Sequence, residues 1–159
     1  MHQTKKGNQW YFGMKAHIGA DRDSKLVHTV VVTAANVADI TKTAELLHGD
    51  EQQVHADAGY TGVEKRAEIV ALERKIDWQV ACKRGLIKAL AEGAEKEACK
   101  AVEKVKASVR AYVEHPFHIV KNLFRHRKVR YRGLAKNGHQ LYTLFGLANV
   151  VIGARRARA

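Results

Sequence analysis

Only two cysteines, Cys82 and Cys99, occur in the 159 residues, and they lie far apart. With no second pair beside them, neither a disulfide framework nor a zinc ribbon is indicated, and both read as reduced core thiols. A single proline, Pro116, excludes a proline-rich tether. The longest apolar stretch, Leu141 to Ala154, is interrupted by Tyr142, Thr143 and Asn149. It falls short of the roughly 20 apolar residues that a bilayer span requires, so no membrane partner is expected. The opening MHQTKKG has lysines with no apolar run behind them, which is not the pattern of a secretory signal, and a cytoplasmic location is expected.

Acidic residues are the most telling shortage. Residues 1–80 hold 10 Lys and Arg against 11 Asp and Glu, whereas residues 81–159 hold 18 against 5, so the net +12 lies in the second half. After Glu114 there is no carboxylate in the remaining 45 residues, while 10 Lys and Arg follow. A long single-sign field attracts a polyanion and speeds its encounter, which points to nucleic acid. The segment Arg125, Arg127, Lys128, Arg130 and Arg132, with Tyr131 among them, suits a track along a DNA backbone.

What is present reads as a mixed α/β chain. Trp10–Gly19 and the nearly continuous apolar run Leu26–Ala35 are expected strands, joined by the polar turn ADRDSK. Trp10, Tyr11, Phe12 and Trp78 read as core residues in preference to base-stacking platforms. A short helix over Asp39–Leu47 and a third strand over Gln53–Ala58 follow. Thr61 and Glu64 have capping-box spacing, which predicts a helix running to about Lys75. Asp77–Cys82 reads as a fourth strand. A long helical stretch over Leu86–Val109 carries an apolar stripe of Leu86, Leu90, Ala94, Ala98, Val102, Val105 and Val109, with Gly93 as a breaker. A helix near Val113–Phe124 with Pro116 in its first turn, and another over Lys136–Arg155, complete the chain. Strands alternating with helices and then followed by helices make one domain over 1–159. Within it, a helical connector covers about 86–109 and a basic helical part about 110–159.

Two places could carry chemistry. Asp57 follows a strand and precedes Gly59, so its carboxylate stands at a strand end beside a helix entrance. That position serves either a turn former or a metal ligand, and His55, two residues earlier, faces the same side. Glu114 and Lys121 share a helix face at about 100° per residue, with Arg110 on the approach. They form either an ordinary ion-pair stripe or a carboxylate metal ligand flanked by cations for phosphate. The nine histidines form no metal-binding motif.

These residues also carry a resemblance. The run His55-Ala-Asp57-Ala-Gly59-Tyr60-Thr-Gly62 resembles the second-aspartate motif of Asp-Asp-Glu transposases of the insertion-sequence-five group. Arg110, Glu114 and Lys121 resemble the Arg-Glu-Lys signature around their catalytic glutamate. Ala107 stands where many relatives carry a tyrosine. The segments KGNQWYFGMKAHIG, HTVVVTAANVAD and KVRYRGLAKN extend the likeness over essentially the whole chain. The resemblance implies a ribonuclease H-like mixed sheet flanked by helices. It implies three carboxylates holding two Mg2+ or Mn2+ ions, with Asp57 and Glu114 as the second and third. It further implies cleavage and strand transfer of double-stranded DNA at insertion-sequence ends and target, with self-association, in a bacterial nucleoid setting.

In that family the first aspartate lies on a central strand preceding the segment that begins here at Met1, while Asp21 and Asp23 fall in the hairpin turn. The expectation is therefore a truncated domain, inactive alone, that needs an amino-terminal portion. Two other readings use the same residues: a non-catalytic basic DNA-binding protein and a stand-alone nuclease of the same fold. Metal dependence separates the first from a transposase, and the second requires a third carboxylate within the chain.

Overall fold

The computed structural model describes Met1–Arg158. It divides into two compact units, one formed by Met1–His48 with Val113–Ala159 and the other by Gly49–Tyr112. Among the described residues five strands fall into two sheets, one antiparallel and one parallel. Together with the helices they make the chain a mixed α/β protein.

In the first unit, β1 (His2–Lys6) and β2 (Gln9–Ala20) form a hairpin through the two residues Gly7 and Asn8. Gly7 takes φ 61°, a region that glycine enters without steric cost. β1 was not expected from the sequence, because HQTKK is polar throughout and has no apolar alternation to reveal it. β3 (Val27–Ala34) pairs antiparallel with the second half of β2, from Met14 to Ala20. The turn between them is built by Asp21, whose Oδ1 accepts from the Ser24 amide at 2.6 Å. The expected helix over Asp39–Leu47 forms as a 3-10 turn, Asp39–Lys42, running into α1 (Thr43–Leu46).

The core of this unit lies between the sheet and α5 (Leu134–Arg156), the expected final helix. Leu141, Phe145, Ala148 and Ile152 recur at three- and four-residue steps on α5 and pack with Val27, Ile119 and Val120. Phe117 meets Phe145 edge to face, with ring centroids 5.3 Å apart. Asn149 fixes the register of helix on sheet. Its Oδ1 accepts from the Val27 amide at 2.8 Å and its Nδ2 donates to the Val27 carbonyl at 2.7 Å, as a neighbouring strand would. Gly19 is held by space: a Cβ there would overlap the His28 ring and stand 2.9 Å from the Leu46 carbonyl oxygen.

A polar chain running from buried Thr33 and His17 to exposed Asp39 ties the Asp39 turn to the sheet. His17 Nε2 contacts Thr33 Oγ1 at 2.7 Å, and His17 Nδ1 lies 3.1 Å from Asp39 Oδ1. Lys15 Nζ reaches the Val37 carbonyl at 2.9 Å and Asp39 at 3.4 Å. Burial pulls the His17 pKa below its ordinary 6.5, with Asp39 opposing. The fold therefore resists a proton that the unfolded chain accepts. Stability is unimpaired above pH 6.5 and falls as the pH drops from 6.5 toward the lower folded value. Urea midpoints measured from pH 7.5 down to 5 should decline, and His17→Gln should flatten that decline. An identical slope in the variant would remove His17 as the cause.

In the second unit, β4 (Gln53–Ala56) and β5 (Asp77–Val80) pair in parallel, Val54 opposite Trp78. The crossover carries the 3-10 turns Ala58–Tyr60 and Val63–Lys65 and the single turn α2 (Ala67–Val70). The long helix to Lys75 does not form. Gly62 adopts φ 85° and Arg66 is extended, so the chain leaves helical geometry twice. The Thr61 hydroxyl donates to the Ala58 carbonyl at 2.8 Å instead of capping Glu64. Val63 and Ile69 are buried beneath this crossover.

Helix α3 (Arg84–Ala89) ends before Gly93, and α4 (Ala94–His118) begins just after it. The expected apolar stripe does not face inward: Leu86, Val102 and Val105 are exposed. The inward side of α4 is Lys96, Cys99, Glu103 and Lys106. Their stems pack while the ammonium of Lys106 reaches the Val80 carbonyl at 3.1 Å and that of Lys96 the Leu90 carbonyl at 3.0 Å. Both cysteines are half-buried free thiols. Among the described residues no helix is long and apolar enough to cross a membrane.

Candidate catalytic carboxylates and nucleic-acid interface

Asp57 stands one residue past the end of β4, in extended geometry with φ −78° and ψ 175°. Its Oδ1 accepts from the Gly59 amide at 2.8 Å, which caps the 3-10 turn and fixes the carboxylate's direction. Gly59 has to be glycine for that contact to persist, since a Cβ would come 2.9 Å from the same oxygen. The side chain is exposed, so its second oxygen remains available as a hard ligand. Both readings of Asp57 are thus compatible: it forms the turn, and one carboxylate oxygen is left over. His55, on the same strand, contacts Gln53 Oε1 through Nε2 at 3.0 Å.

Arg110 and Glu114 lie one turn apart on α4, and this differs from the expected helix start. Pro116 sits inside the last turns of a 25-residue helix rather than in a first turn. A proline removes one hydrogen bond of the ladder. The Pro116 ring is fully buried, and the apolar surface it removes from water opposes that loss. Arg110 therefore shares a helix face with Glu114. Glu114 is exposed and, among the described residues, its carboxylate makes no hydrogen bond or ion pair, which leaves it free to ligate. Arg110 belongs to the Gly49–Tyr112 unit with Asp57, and Glu114 to the other.

Beyond His118 the helix widens into a π-turn over Ile119–Leu123, closed by the Phe124 amide on the Ile119 carbonyl at 3.0 Å. Such insertions are common at functional sites. Lys121 lies in this turn, and its Nζ stands over the Phe117 ring, 5.5 Å from its centre.

The basic segment follows directly. Arg125 takes φ 55° to turn the chain out of the helix. Arg127 is partly committed to the fold, with Nη2 on Asn122 Oδ1 at 2.8 Å and Nε on the Lys121 carbonyl at 3.3 Å. Arg125, Lys128, Arg130 and Arg132 are exposed. The loop has a defined shape because buried Asn137 clamps it. Its Nδ2 donates to the Tyr131 and Gly133 carbonyls at 2.6 Å each, and its Oδ1 accepts from the Tyr131 amide at 3.2 Å.

The charge follows the units. Met1–His48 with Val113–Ala159 holds 16 Lys and Arg against 5 Asp and Glu, or +11, and Gly49–Tyr112 holds 12 against 11, or +1. The sequence reading missed the exposure of Trp10, Tyr11 and Phe12, which it assigned to the core. The signal that could have revealed it was the Gly7–Asn8 hairpin turn with only polar residues on its other arm.

A family model described as Transposase DDE domain matches residues 1–150. The chain therefore belongs to the DDE transposase domain family, whose function is DNA transposition. No solved structure matches it.

Proposed function

We propose that this chain works in a transposase of the insertion-sequence-five group, which cuts and joins double-stranded DNA at insertion-sequence ends with divalent metal. In this reading both units act as one catalytic domain over 1–159, with a connector at about 86–109 and a basic DNA-gripping part at about 110–159. Asp57 and Glu114 are two of the three carboxylates of the site. Arg110 and Lys121 flank Glu114 to address phosphate, and Arg125, Arg127, Lys128, Arg130 and Arg132 follow the DNA backbone.

The observation that carries this reading is the state of the two carboxylates within a DDE transposase domain. Each is exposed, and each offers at least one oxygen not engaged elsewhere in the described residues. Oxygen donors of this kind fit Mg2+ or Mn2+. When bound, such ions lower the pKa of an attacking water or 3′-hydroxyl and offset charge on the leaving oxygen at phosphorus. The protein's own part is to aim Asp57 through the Gly59 amide, to hold Glu114 on a rigid helix, and to set cations beside both DNA strands.

The basic segment provides a test independent of catalysis. If its cations contact phosphate, log affinity falls linearly with log salt, and each lost contact lowers the slope by about 0.9. Replacing Arg130 and Arg132 together by Ala should lower it by about 1.8 and weaken binding to every sequence alike. A slope that stays unchanged would move the DNA track elsewhere.

A further inference from the structure

The first five residues of β2 pair only with β1, because β3 begins its pairing at Met14. His2–Gly13 is therefore a two-stranded arm extending beyond the third strand. Two-stranded arms of this sort gain little stability of their own. This one buries almost nothing, yet it carries three consecutive aromatics: Trp10 is 67% exposed, Tyr11 49% and Phe12 68%. Aromatic side chains that cover no core cost solubility without stabilising the fold, and such patches mark contact sites.

The arm's geometry and charge define what it contacts. Alternation along the strand puts Trp10 and Phe12 on one face, roughly 7 Å apart at about 3.4 Å per residue, close to two base steps of DNA. Directly across from Trp10 is Lys5, and across from Phe12 is Gln3. Lys5 is exposed beside the indole. On the opposite face Tyr11 Oη donates to Gln9 Oε1 at 2.6 Å. By sequence the arm holds lysines and no carboxylate, and it belongs to the unit with net charge +11. Flat rings flanked by a cation on a strongly positive body match a partner with exposed π-faces and a phosphate backbone.

We infer that the β1–β2 arm is a DNA contact in which Trp10 and Phe12 stack on unpaired or unstacked bases while Lys5 meets a neighbouring phosphate. This rests on the transposase reading but uses none of its catalytic residues. Within it, the basic segment holds the duplex backbone and the arm engages bases where the duplex opens.

The experiment uses the whole chain with Trp78→Phe, which leaves Trp10 as the only tryptophan. Adding an oligonucleotide duplex with a mismatched bubble should quench Trp10 fluorescence, and a fully paired duplex of equal length should quench it less. The double variant Trp10→Ala, Phe12→Ala should bind the bubble about tenfold or more weakly, since each stacked base contributes about 1–3 kcal/mol. Its melting temperature should match the parent, because neither ring is buried. Tight binding with silent Trp10 and unaltered affinity in the double variant overturns the arm assignment alone. Loss of self-association with unchanged DNA affinity in that variant also overturns it, in favour of a protein contact. If the parent chain binds no DNA at low salt, the transposase reading falls first.

Discussion

In a transposase complete in its three carboxylates, Asp57→Ala or Glu114→Ala should abolish strand cleavage, on the order of a thousandfold, and leave DNA affinity unchanged or slightly higher. The size follows from the several kcal/mol that a bound divalent ion supplies to a phosphoryl transition state, at 1.36 kcal/mol per tenfold. The direction on binding follows from removing a negative charge near phosphate. Gly59→Ala should act on the same step more mildly. Its Cβ would press on Asp57 Oδ1 and turn the carboxylate off the Gly59 amide without removing it. Paired cleavage and gel-shift assays on the three variants measure this. Retained cleavage in Asp57→Ala would remove that residue from the site.

The second large effect concerns the fold beneath the Glu114 and Lys121 turn. Phe145 is 1% exposed and meets Phe117 edge to face, and the Phe117 ring in turn lies under the Lys121 ammonium. Phe145→Ala should cost about 3–5 kcal/mol, a large part of the 5–15 kcal/mol typical of a domain. Denaturant titration measures the loss. It should exceed the effect of Tyr142→Ala on the same helix, whose ring is largely exposed. Equal costs at the two positions would contradict the assigned core.

Both expectations rest on features that were only partly legible in the sequence. The strands at Trp10–Gly19, Leu26–Ala35 and Gln53–Ala58 could be read because β-branched and apolar residues cluster there, and α5 because its stripe is regular. Each matches an observed element to within one or two residues. The helix expected after Thr61 failed because local spacing carries no information on the φ that Gly62 adopts. The α4 stripe failed for a different reason. Lys96 and Lys106 face inward because their ammonium groups reach backbone carbonyls outside α4, of Leu90 and Val80, which no periodicity can reveal. Pro116 was placed at a helix start on local chemistry, whereas the preceding residues from Ala94 onward carry the helix through it.

The site divides in the same way. Asp57 was readable as a strand-end carboxylate before a glycine, and the structure adds the reason for the glycine. Glu114 was readable as the last acid of the chain. The π-turn that carries Lys121 and the Asn137 clamp on the basic loop were not, because both depend on hydrogen bonds between residues five or six apart without a motif. The Trp10–Phe12 run was misread because aromatic composition alone does not distinguish a buried strand from a projecting arm.

If Asp57 and Glu114 ligate the metal that cleaves DNA, exchanging ligand hardness should change which metal supports cleavage. A thiolate is a poor ligand for Mg2+ and a better one for softer ions such as Mn2+. In a transposase complete in its three carboxylates, Asp57→Cys and Glu114→Cys should each be inactive with Mg2+ and regain cleavage with Mn2+, whereas Asp57→Ala and Glu114→Ala stay inactive with both. Cysteine variants as active with Mg2+ as the parent, or equally inactive with both ions, would contradict the account.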